Sequence, residues 1–213
     1  MKKITKNYHG RLGLIVIGSL ASLMVAFTLT PAFAGIVASI QNTTNTAATG
    51  TLTMKESSGA ATCNSFDGQT NNTATCSTIN KYGGTSTPLL PGGAAKVTDV
   101  TIQNTGNIAA TSFTLTPGGC TSSNVSGASF SGGGDLCTKV KVVITSGTTT
   151  LFNGTAAALN TGGAIDILNK LGKTSVTANE SIPIKFSVSL DPSADATFQG
   201  KQISQPLTWQ FGA

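Results

Sequence analysis

Ser181-Ile182-Pro183-Ile184-Lys185-Phe186-Ser187-Val188-Ser189-Leu190 carries an apolar side chain at every second position through five repeats. A strand turns successive side chains to opposite faces, so a period of two predicts one buried and one solvent-facing side. Upstream, Val140, Val142 and Ile144 alternate with Lys139, Lys141 and Val143, and residues 148–154 around Leu151-Phe152 read as a further strand. The helical period is met only in short pieces, at residues 155–159 and 164–171. Downstream, Asp191-Pro192 marks a turn and Phe198-Gln199-Gly200 a bulge or second turn. Residues 203–211 read as a final strand, with the one tryptophan, Trp209, in a core or half-buried role rather than stacked on a sugar.

The earlier part of the chain has the same character. Residues 95–103 and 108–117 read as two arms of a hairpin closed by Asn104-Thr105-Gly106-Asn107, with Phe113 and Leu115 on one face. The spacing from Val97 to Val100 predicts a bulge. Thr51-Leu52-Thr53-Met54 predicts a strand after Gly50, residues 57–75 a polar excursion, and Cys76-Ser77-Thr78-Ile79 a resumed strand. Pro88-Leu89-Leu90-Pro91-Gly92-Gly93 is a turn, because Pro fixes φ and Gly admits positive φ. Together these runs predict an all-β chain: an antiparallel β-sandwich of jelly-roll or Ig-like type with one or two short helices. The expected domain is residues 50–213, with no internal repeat.

Residues 1–34 read as a signal peptide. Lys2, Lys3, Lys6 and Arg11 precede an almost continuous apolar run over residues 12–29, and Pro31 is followed by the small-x-small site Ala32-Phe33-Ala34. Cleavage by signal peptidase after Ala34 leaves Gly35 as the new N-terminus. The other reading is a retained anchor, since about 18 apolar residues just span a bilayer. Either way the rest of the chain lies outside the cytoplasm, secreted into an extracellular matrix or held at the cell surface, and touches membrane only through an uncleaved signal.

The 213-residue chain has a formal charge of +5, but four of its basic residues lie in the signal and the remainder is close to neutral. No basic stripe is left to bind nucleic acid. His9, the only histidine, leaves with the signal, which removes imidazole-based hydrolase and zinc chemistry. The acids Glu56, Asp67, Asp99, Asp135, Asp166, Glu180, Asp191 and Asp195 form no aspartic-dyad motif. A pair of carboxylates suited to glycoside hydrolysis stays open on sequence alone. The expectation is a protein that is not an enzyme and carries no cofactor or metal. A calcium site at Asp191 and Asp195 lacks a recognised loop. Asn42, Asn124, Asn153 and Asn179 head Asn-x-Ser/Thr triplets and read as loop asparagines. Cys63, Cys76, Cys120 and Cys137 are an even set, as in exported proteins with paired thiols. Three connectivities are open; Cys63–Cys76 with Cys120–Cys137 is favoured because each closes a short polar loop.

Several of these stretches line up in order with a known pattern. They are Thr49-Gly50-Thr51-Leu52-Thr53-Met54, Pro91-Gly92-Gly93, Val100-Thr101-Ile102-Gln103-Asn104-Thr105-Gly106, Val188-Ser189-Leu190-Asp191, Phe198-Gln199-Gly200 and Trp209-Gln210-Phe211. The chain resembles the TasA/camelysin family of exported bacterial matrix-fibre proteins. It departs from that pattern in three places: Gly93 stands where the turn usually has Asp, the cysteines are atypical, and the acidic tail of some members is missing. The resemblance implies a homopolymer of head-to-tail copies, joined by a donor strand and in some cases accompanied by a minor fibre subunit. Residues 35–49 would be donor and tether. Ile36, Ala38 and Ile40 share one face of the donor, and Val37, Ser39 and Gln41 the other. Some camelysin-type proteins carry a protease label, for which no nucleophile–base motif is visible here. The alternative reading is a monomeric surface or secreted binding domain that uses its Gly-rich loop at residues 118–136 to contact carbohydrate or protein.

Overall fold

The alternating run forms β9 (Ser181–Leu190), with Ile182, Ile184, Phe186 and Val188 buried and Ser181, Pro183 and Lys185 exposed. The computed structural model describes residues 46–68 and 70–213. The cleavage positions Ala32, Ala34 and Gly35 lie outside the described residues. So do the donor positions Ile36, Val37, Ala38, Ser39, Ile40 and Gln41. Around β9 runs an antiparallel six-stranded sheet. Its members are β1 (Met54–Ser58), β2 (Ala61–Asn64), β3 (Lys96–Asn104), β6 (Val140–Ser146) and β7 (Thr149–Thr155), in the order β2-β1-β3-β9-β6-β7. A smaller sheet has the order β11-β4-β8, from β4 (Ser112–Pro117), β8 (Ile165–Asp166) and β11 (Leu207–Gly212). A third pairs β5 (Thr121–Asn124) with β10 (Lys201–Ser204).

The large and small sheets bury their apolar faces against each other. Phe113 stacks at 4.8 Å from Phe211 and 5.7 Å from Trp209, while Phe186 of the large sheet meets Trp209 of the small one edge-on at 6.2 Å. Each fully buried side chain of this size contributes about 1.5–3 kcal/mol. The fold is thus all-β and sandwich-like, with two short helices, α1 (Ala156–Thr161) and α2 (Ile167–Leu171). Thr155 caps α1 by accepting from Ala158 N–H (3.1 Å), and Asp166 caps α2 by accepting from Asn169 N–H (3.0 Å). Among the described residues no helix is long and apolar enough to cross a membrane. Disulfides join Cys63 to Cys76 and Cys120 to Cys137, which fits an oxidising, non-cytoplasmic location.

Pro183 lies within a strand that has neighbours on both sides, yet it costs no ladder bond. Asn104 N–H donates to Glu180 C=O (3.0 Å), and this fixes the alternation so that Ile182 and Ile184 turn their main-chain groups toward β3. Pro183 therefore turns away from β3, and β6 has already ended its pairing at Lys185.

Six expectations are corrected. The arms at residues 95–103 and 108–117 are not a hairpin: β3 pairs with β1 and β9, and β4 with β11 and β8. Both runs alternate because both face one core, but they do so from opposite sheets. The bulge near Val97 is absent, since the β3–β9 register is continuous and Val97, 56% exposed, simply faces solvent. The irregularity sits instead between Ile144 and Thr145 in the β6–β7 pair. The final strand is broken by Gln205-Pro206 into β10 and β11, which join different sheets. The strand expected at residues 51–54 begins only at Met54, although Thr51 and Thr53 carbonyls accept from Asn107 and Thr105 N–H (both 2.9 Å). The polar excursion contains β2, and residues 76–79 form no strand.

Candidate functional site

One seam of the sandwich, where β1 of the large sheet faces β11 of the small one, collects the least expected residues. β11 is an edge strand. Gly118 N–H donates to Pro206 C=O (2.8 Å), so Thr208, Gln210 and Gly212 turn their main-chain groups toward β4. Leu207, Trp209 and Phe211 then aim theirs outward, and among the described residues no backbone group pairs with them. Unpaired N–H and C=O groups along such an edge form a template for another strand.

At the start of this edge, by Leu207, lies a cavity of about 850 Å³. The large sheet contributes Val140, Val188 and Leu190, β10 and β11 contribute Ile203 and Leu207, and the irregular stretch at residues 65–95 contributes Ile79 and Leu89. That stretch is pinned at the seam by polar contacts. Glu56, on the inner face of β1 and 8% exposed, pairs with Lys81 Nζ (2.7 Å) and accepts from Trp209 Nε1–H (2.9 Å). A buried carboxylate needs such partners, because leaving it unpaired costs several kcal/mol. Tyr82 Oη–H donates to Gln205 Oε1 (2.7 Å), and burial pushes the phenol well above its usual pKa, so it stays a neutral donor. Gln205 Nε2 in turn donates to the carbonyls of Gly118 (3.0 Å) and Ala156 (3.2 Å).

The other residues singled out in the sequence take structural places. Trp209 is half-buried against Phe113 and Phe186. Asp191 accepts from Ser193 N–H (2.8 Å) and Oγ–H (2.6 Å), and Asp195 from Thr197 N–H (2.9 Å) and Oγ1–H (2.6 Å). Those bonds hold both carboxyls below the usual range and spend them on turns. Among the described residues, no group of three His, Cys, Asp or Glu is placed to hold a metal ion. The Gly-rich loop is zipped onto residues 197–200: Gly132 N–H donates to Gln199 C=O (2.9 Å) and Gly134 N–H to Thr197 C=O (2.8 Å). Of its side chains, Phe130 is left 59% exposed. Asn153 and Asn179 are exposed, and Asn124 accepts from Lys201 Nζ (2.9 Å).

The sequence names Glu56 only among the acids that form no catalytic dyad, and gives no place in a site to Lys81, Tyr82 or Gln205. Glu56 gave one signal: it shares the phase of Met54, so an acid falls on the inward side of β1. Its partners come from distant parts of the chain and leave no local trace. Compared with protein-family models and with curated proteins, the chain matches none.

Proposed function

We propose that this chain is an exported structural subunit that polymerises by donor-strand complementation into extracellular fibres of the biofilm-matrix or pilus type. The observation that carries the reading is the outward edge of β11, with a cavity at its start that Leu207 helps to line. An added strand gains main-chain hydrogen bonds, each about 0.5–1.5 kcal/mol net, and seats alternate side chains in pockets. Residues 35–41 of a second copy have the required form, with Ile36, Ala38 and Ile40 on one face. Residues 42–49 are polar and serve as tether. Donor and edge are different parts of the chain, so the contact is head-to-tail, and repeated without closing into a ring it builds a filament. The chemistry is association, not catalysis, and needs no cofactor. Removal of residues 1–34 by signal peptidase frees the donor.

Electron microscopy of the exported chain beside a variant lacking residues 35–41 tests this. Filaments from the first and dispersed particles from the second are expected; dispersed particles from both overturn it. In that event the exposed Phe130 at the Gly-rich loop favours the second reading, a monomeric binding domain for carbohydrate or protein.

A further inference from the structure

We infer that residues 76–91 are a latched cover over the β11 edge, which must release before a strand adds there; this deepens the donor-strand reading and rests on it. The described residues between β2 and β3, 65–68 and 70–95, run without regular structure for roughly twice the ~12–15 residues above which such loops are uncommon and usually functional. Within residues 76–89, the one hydrogen bond between backbone groups is the turn from Gly83 N–H to Asn80 C=O (3.3 Å). The segment is held instead by side chains and its ends. Cys76 is tied to Cys63 at one end, and Pro91 bridges to Leu190 at the other. Between them Ile79 and Leu89 pack on the core, and the Lys81–Glu56 ion pair and Tyr82–Gln205 bond fasten it to β1 and to the break between β10 and β11.

A segment so held belongs to the low-stability end of a structure, where opening does not require unfolding the sheets. Positive φ at Gly83, Gly84 and Gly92 places turns within the segment and beside its far end. The cover lines the cavity that Leu207 shares at the start of β11, and its backbone satisfies none of the outward groups of Leu207, Trp209 and Phe211. An incoming strand that does satisfy them outcompetes it once the latch opens. The latch keeps most molecules closed, and so lowers the fraction competent to accept a neighbour.

The test uses the full exported chain with Glu56→Gln, Lys81→Met and Tyr82→Phe combined. Gln keeps an acceptor for Trp209 Nε1–H while the ion pair is removed. Two readouts are taken: acrylamide quenching of Trp209, the chain's one tryptophan, and the rate of seeded filament elongation. Release of the latch should raise quenching and speed elongation by about tenfold, the inverse of an open fraction of about one in ten in the latched chain. Equal elongation in both forms overturns the cover and leaves the fibre reading standing. Raised quenching with no filaments from either form overturns strand addition, and the gate with it. If the triple variant does not fold, Cys63→Ser with Cys76→Ser frees one end of the cover and leaves the ion pair intact; the same two readouts then decide.

Discussion

Asn104 is fully buried, and its side chain holds the corner where the chain crosses between sheets. Its Nδ2 donates to the carbonyls of Ile108 (2.8 Å) and Val176 (3.0 Å), and its Oδ1 accepts from Gly106 N–H (3.0 Å). Gly106 belongs to the same device, since a side chain there would run into the backbone of Thr51 and Leu52. Asn104→Ala should lower the free energy of unfolding by about 3 kcal/mol, because it strands buried polar groups that each cost about 1–3 kcal/mol. Urea denaturation with an unchanged slope checks this. Asn104→Asp should do at least as much harm, for a carboxylate would face two carbonyl oxygens. Acid tolerance is also set by single residues. Lys173 and Thr177 hold the Glu180 carboxyl below its usual pKa, and Asp191 and Asp195 are lowered by their own turns. The unfolded chain then binds protons more readily, so this stability is full above the ordinary carboxylate pKa of about 4 and is lost as pH falls through the lowered values. Melting temperature should fall below about pH 4, and Glu180→Gln should flatten that fall.

Among the elements, the Cys120–Cys137 bond fastens β5 and the Gly-rich loop to the turn before β6, where Leu136 N–H donates to Ser122 Oγ (3.1 Å). Replacing both cysteines with serine should cost about 3 kcal/mol by freeing the unfolded chain, measured as a shift in thermal midpoint. The elements legible in the sequence were those whose signal is local. β9 and β6 alternate cleanly because one face of each meets the core, and the two helices follow polar caps at Thr155 and Asp166. The pairing of β3 and β4 was illegible for a physical reason: alternation reports burial, not the neighbour that supplies hydrogen bonds. The break at Pro206 was likewise hidden inside one apolar run until Gly118 and Gln205 gave it a place. Of the candidate site, only Trp209 was visible beforehand, since the Glu56–Lys81–Trp209 cluster is assembled from three separate parts of the chain.

At the scale of the whole molecule, the donor-strand reading makes the assembly depend on a few apolar side chains outside the sandwich. Ile36→Asp or Ile40→Asp should abolish filaments while leaving the thermal midpoint of the monomer unchanged, as seen by electron microscopy and calorimetry side by side. A charge in a closed apolar pocket is too costly to seat. The position of β11 has a further consequence, which concerns time. It follows every other described strand in the chain, and its partner β4 emerges far earlier, Ser112 pairing with Gly212. At synthesis rates of about 5–20 residues per second, β4 waits on the order of 5–20 s for its neighbour. Until then the edge used in the donor-strand reading has not been made, and β4 itself lies open to pairing. The order of emergence puts the acceptor edge last, and makes the waiting β4 the place most exposed to premature joining.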